Sequence, residues 1–164
     1  MRYLCLILLM FLSCGLNPGP HVVSTDSRAS SCGGFSTLAK NAMIPYTNDS
    51  LEYCKSEKLI WFYSSTDKKL EILHLRNYEN CAAQLELYVE EKNGKYEIQQ
   101  KDNRDPQVSA TCSCVFDTYC AIPNVQKDSL VIVYKGLVDT LYLTHGTGVV
   151  MIDTSSFCGH YPFL

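Results

Sequence analysis

Apolar and polar positions alternate along much of the chain with a period of two. In "LELYVEE", Leu85, Leu87 and Val89 fall on one face and Glu86, Tyr88 and Glu90 on the other. That pattern is a strand with one buried face. Asn93-Gly94 follows, the pair that accepts the two positive φ angles of a type I′ turn, and Tyr96 and Ile98 continue the return strand. Short β-branched and aromatic runs at 59–63, 69–75, 129–136, 140–144 and 148–152 are expected to be further strands. The polar, proline-bearing stretch 99–111 reads as an exposed loop. No sustained 3.6-residue repeat, internal repeat or low-complexity segment follows residue 15. The expected fold is all-β, a disulfide-stapled antiparallel β-sandwich.

The first residues follow a different rule. "MRYLCLILLMFLSCG" has one cation at Arg2, an apolar run and then small residues. This is the order of a secretory signal peptide, in a run too short to span a bilayer. Cleavage is expected after Gly15, with a cut as late as Ser24 the alternative. A lipoprotein signal ending at Cys14 would place Phe11 where leucine is usual. Residues 16–31 then read as an N-terminal extension, 32–153 as the domain and 154–164 as a C-terminal tail. That tail is too short and polar for a lipid-anchor signal. No later segment reads as a membrane span, so the expected location is extracellular.

Composition narrows the partners. The net charge is −3, and no stripe of Lys and Arg is present. Phosphate-backbone binding needs such a stripe, so nucleic acid is an unsuitable partner. Of the nine cysteines, two (Cys5 and Cys14) lie in the signal, leaving Cys32, Cys54, Cys81, Cys112, Cys114, Cys120 and Cys158. In an oxidising compartment these are expected to be mostly disulfides. Seven is odd, so one thiol stays free or bridges two chains. The sequon Asn48-Asp49-Ser50 marks Asn48 for a glycan.

The order of several motifs resembles the CUB domain family, and within it the small secreted spermadhesin-like members. "CGGF" at Cys32 resembles the family's opening, and Cys54 follows at about the spacing of its first disulfide. An aromatic strand holds Trp61, "KLEILHLRNYENC" leads into Cys81, and "LELYV" follows. "DSLVIVYKG" and "GTGVVMID" resemble the last pair of strands. The resemblance implies a jelly-roll sandwich with Cys32 paired to Cys54, and Cys81 paired to Cys112 or Cys114. Cys120 and Cys158 have no counterpart and are expected to clip the tail to the loop before residue 129. Trp61 lies farther from Cys54 than in the family. The family's calcium ligands are also depleted: Glu79 is present, but Ala83 or Gln84 stands where an aspartate is usual. No tight calcium site and no cofactor are therefore expected.

Rival chemistries are weaker. Cys112, Cys114, Cys120, Cys158 and His160 could form a zinc set, but Cys112-Ser113-Cys114 is tighter than a zinc knuckle. A Cys–His nucleophile pair would need His74, His145 or His160 as base. His74 lies between Leu73 and Leu75 and reads as a strand-surface residue, and "HGTG" at 145–148 reads as a turn between strands. An Ig-like sandwich with a Cys54–Cys120 bridge is the alternative fold. The expected function is a secreted, non-enzymatic module that binds an extracellular protein or carbohydrate. The alternatives are a disulfide-linked homodimer acting as a signalling or coat protein, and an exported Cys- or zinc-dependent enzyme. The eleven tyrosines supply interface material.

Overall fold

A computed structural model describes residues 19–33 and 57–153. The expected signal peptide, Asn48, Cys54, Cys158, His160 and the tail lie outside the described residues. Ten strands run in chain order: β1 (His21–Val22), β2 (Thr25–Ala29), β3 (Lys58–Ser64), β4 (Lys69–Asn80), β5 (Leu85–Lys92), β6 (Lys95–Asp102), β7 (Ser113–Ile122), β8 (Ser129–Tyr134), β9 (Leu137–Tyr142) and β10 (Thr147–Met151). They form two five-stranded sheets, ordered β1-β5-β6-β8-β9 and β10-β3-β4-β7-β2. The expected β-sandwich is what the chain builds. Every pairing is antiparallel except β6 with β8, which run parallel through Tyr96–Ile132 and Glu97–Val133. The chain leaves sheet one after β6 to make β7 in the other sheet, and so re-enters in the same direction.

Local chemistry explains most elements. Asn93 and Gly94 take φ of 53° and 75°, closing the β5–β6 hairpin. Leu87 and Val89 are fully buried, while Glu86, Tyr88 and Glu90 are half-exposed. Lys135 and Gly136 also take positive φ and turn β8 into β9, earlier than the break expected between strands at 129–136 and 140–144. "HGTG" is a turn, as expected: a 3₁₀ turn at Leu143–His145 ends on Gly146, at φ 75°. Residues 21–29, expected to lie outside the domain, instead extend both sheets. Val23 N–H reaches the Val89 carbonyl, and the hydroxyls of Ser24 and Ser27 accept the Val89 and Leu87 N–H groups. These hydroxyls satisfy backbone donors along the edge of β5.

The core lies between the sheets. Leu59, Trp61, Leu70 and Ile72 meet Leu87, Val89, Ile98, Leu130, Ile132 and Leu141. Strands β4 and β7 are also buried on their other face, where Leu73, Leu75, Tyr119 and Ala121 form a second apolar layer. No helix among the described residues is long and apolar enough to cross a membrane.

One tight contact makes a prediction. A Cβ built on Gly148 would lie 2.6 Å from three atoms of the Trp61 indole. Trp61 is packed in the core, so the ring cannot swing away without loss. Gly148→Ala is expected to cost about 1–3 kcal/mol by overpacking. Urea denaturation measures this, and Trp61→Phe in the same chain should recover part of the loss.

Candidate functional site

The cysteine pairing departs from expectation. Cys32 is bonded to Cys114, and Cys81 to Cys112. Cys81 therefore takes the first of its two expected partners. Cys32 does not pair with Cys54, because β2 runs alongside β7 and delivers Cys32 to the start of that strand. Gly33 N–H bonds the Val115 carbonyl at 3.0 Å, and the Cys32 and Cys114 Cα atoms are 5.7 Å apart. Cys120, expected in a disulfide, is a free buried thiol on β7 facing the core. Burial pushes its pKa up to about 12, so it is a thiol rather than a reactive thiolate. It is equally closed to a second chain. Cys112 and Cys114 are already committed to different disulfides, which removes them from a zinc set.

The strongest departure concerns His74, expected on a strand surface. It is fully buried at the centre of a polar cluster. A bulge builds this cluster. The β4–β7 register shifts between His74, opposite Thr118, and Asn77, opposite Phe116. Arg76, at φ 64°, lies within the shift. Thr118 and Phe116 are two residues apart on β7 and share a face, so Asn77 lies on the same face as His74. Glu79, opposite Cys114, follows on that face too. Without the extra residue Asn77 and Glu79 would point the other way.

From the facing sheet come Gln100 of β6 and Tyr134 and Lys135 at the end of β8, while Glu57 precedes β3. His74 Nε2 lies 2.6 Å from Glu57 Oε1. A carboxylate only accepts, so this nitrogen carries the proton. His74 Nδ1 lies 3.0 Å from the Tyr134 hydroxyl and 3.2 Å from Gln100 Oε1. Gln100 Nε2 donates to Glu79 Oε1 at 3.2 Å, and Asn77 Nδ2 donates to the same oxygen at 3.4 Å. Lys135 Nζ closes the ring by donating to Asn77 Oδ1 at 3.2 Å and to Glu57 Oε1. The sequence signal for this ring was the polar pair Arg76-Asn77 directly after the largely apolar run Leu70–Leu75.

Burial raises the pKa of Glu57, but hydrogen bonds from His74 and Lys135 outweigh it and leave the carboxyl below its usual range. The linkage sign follows. A folded value below the unfolded value of about 4.5 stabilises the fold above that pH, and this is lost as pH falls through the folded value. Burial shifts Asp117 the opposite way, upward, so the Glu57 effect is read as a difference between proteins. Glu57→Gln should lose about 1–3 kcal/mol at neutral pH. Its stability should also fall less than the parent's between about pH 5 and 3 in urea denaturation.

At the opposite end of the sandwich, the β7–β8 loop separates two open clefts. One, of about 330 Å³, is lined by Val23, Glu91, Tyr96, Asn124, Gln126 and Lys127 among others. The second, of about 230 Å³, is lined by Tyr63, Ser65, Lys68, Asp128 and Thr144, and shares Lys127. Lys127 Nζ donates to Glu91 Oε1 at 3.1 Å and to the Tyr96 hydroxyl at 3.0 Å. No group of metal-ligating side chains is assembled among the described residues. Glu79 is in the ring, and the Gln84 backbone N–H donates to Asp102 Oδ1 at 3.0 Å. Compared with family models, curated proteins and solved structures, the chain matches none.

Proposed function

We propose that this chain is a secreted, non-enzymatic binding module of the extracellular space, and that it takes a carbohydrate or protein ligand at the β7–β8 loop. The observation that carries this reading is the pair of clefts sharing Lys127. They gather amide, carboxylate, hydroxyl and ammonium groups beside aromatic rings, the donor and acceptor mixture that orients sugar hydroxyls or a polar peptide. The polar ring is a poor catalytic site by comparison, since His74 is sealed from solvent with both ring nitrogens in hydrogen bonds.

Two disulfides support an exported protein. A signal cut after Gly15 would keep β1 and Ser24, whereas one after Ser24 would remove both, so the earlier cut fits the sheet better. The order of motifs still resembles CUB domains, although the Cys32–Cys114 bond departs from the pairing that family implies. Cys120 is buried and is not the residue through which a covalent dimer would form.

The test is a screen of the secreted protein on immobilised glycans and extracellular proteins. Binding that is lost in Gln126→Ala and Lys127→Ala, with unchanged melting, is the expected result. Ligands held equally by both variants would contradict the assignment.

A further inference from the structure

The ring places three groups together that can do more than bond to one another. Lys135 Nζ contacts Glu57 Oε1 and lies 3.2 Å from Asn77 Oδ1. Asn77 is 1% exposed and Glu57 8%. The Asn77 amide is held in orientation, its Nδ2 pointing to Glu79 and its oxygen to the lysine. Glu57 is held in turn by His74. An ammonium thus lies within hydrogen-bond distance of both a carboxamide and a carboxylate inside a protein, where positioning replaces a bimolecular encounter.

We propose that Lys135 and Asn77 join in an intramolecular isopeptide bond, with Glu57 as the proton carrier. Glu57 takes a proton from the Lys135 ammonium, freeing the Nζ lone pair to attack the Asn77 side-chain carbonyl carbon. The tetrahedral intermediate collapses as Glu57 returns the proton to Nδ2. The C–Nδ2 bond breaks and ammonia departs; Glu57 takes the second proton from Nζ and passes it to the ammonia, which leaves as ammonium, so that Nζ and the carbonyl carbon form a secondary amide. No oxidant, metal or cofactor enters the balance. The Lys135 side chain is 40% exposed, which gives the ammonia a route to solvent. The bond ties the β8–β9 turn of one sheet to β4 of the other and so locks this end of the sandwich. The Glu57–His74 pair persists afterwards, and with it the acid sensitivity expected above.

Mass spectrometry of the secreted, reduced and denatured full chain tests this. The expected mass is one ammonia below that of the processed sequence with all thiols reduced. In a tryptic digest the peptide beginning at Asn77 should be joined to the one beginning at Asp128, with Lys135 uncut. Lys135→Arg and Glu57→Gln should each restore full mass. Should Glu57→Gln fail to fold, Asn77→Asp provides the second arm: it should lose water instead and reach the same final mass as the linked parent. A parent protein at full mass with Lys135 cleaved by trypsin overturns the proposal. A Glu57→Gln protein that still loses ammonia overturns the role of Glu57.

Discussion

Replacing Asp117 by alanine should lower the unfolding free energy by about 3–5 kcal/mol, the cost typical of breaking a buried ion pair from one side. Asp117 is 1% exposed and Arg76 2%. Asp117 Oδ1 accepts both the Arg76 backbone N–H and its Nη1 at 3.0 Å, and Oδ2 accepts Nη1 at the same distance. The Asp117 backbone is tied in as well, its N–H to the Ser30 hydroxyl and its carbonyl to the Ser30 N–H. The carboxylate thus holds the bulge that orients Asn77 and Glu79, and removing it leaves a guanidinium inside without its main acceptor. Removing both charges should be milder, because the desolvation of each then disappears with it. Asp117→Ala with Arg76→Met is therefore expected to recover part of the loss. Urea denaturation of the two proteins decides this, and a single-variant loss below about 1 kcal/mol would contradict it.

The disulfide variants should rank by the loop each bond closes. Cys32–Cys114 spans 82 residues and Cys81–Cys112 spans 31. Chain-entropy arithmetic gives about 4.5 kcal/mol for the first and about 3.7 kcal/mol for the second. Both are large against the roughly 5–15 kcal/mol that holds a typical domain together. Cys32→Ser should therefore reduce secreted yield most, Cys81→Ser somewhat less, and Cys120→Ala least. Yield and melting temperature of the three proteins measure this. Secretion of Cys32→Ser at the parent level, with unchanged melting, would show that the bond is not structural.

The hairpin at Asn93-Gly94 was legible because turn chemistry and alternation agree there, and Leu85, Leu87 and Val89 fell on the buried face as read. The second hairpin was read with its turn misplaced. Lys135 is not a usual turn residue, and apolar positions continue past it at Leu137 and Val138, so the break between the two expected strands, 129–136 and 140–144, was placed after Gly136 instead of at Lys135-Gly136. Strand β7 was missed for a different reason. It is buried on both faces, has no alternation to detect, and its cysteines invited a purely covalent reading.

The polar ring was the least legible feature. Its members come from separate segments, with Glu57 and Lys135 78 residues apart, and only the bulge at Arg76 turns Asn77 and Glu79 inward. Periodicity alone placed His74 on a strand correctly but on the wrong side of the argument. At His74 one face of β4 packs on the opposite sheet and the other is covered by the second apolar layer. The Cys32 pairing failed for a related reason: the family resemblance implied Cys54, whereas sheet order sets β2 beside β7.

A disulfide map of the protein recovered from the medium of secreting cells tests the central claim most directly, because it asks at once whether the chain is exported and whether it folds as this sandwich. The predicted result is Cys32 bonded to Cys114, Cys81 bonded to Cys112, and Cys120 recovered as a thiol that alkylates only after denaturation. Cys120 in a disulfide, Cys32 joined to Cys54, or a protein retained inside the cell would contradict the account.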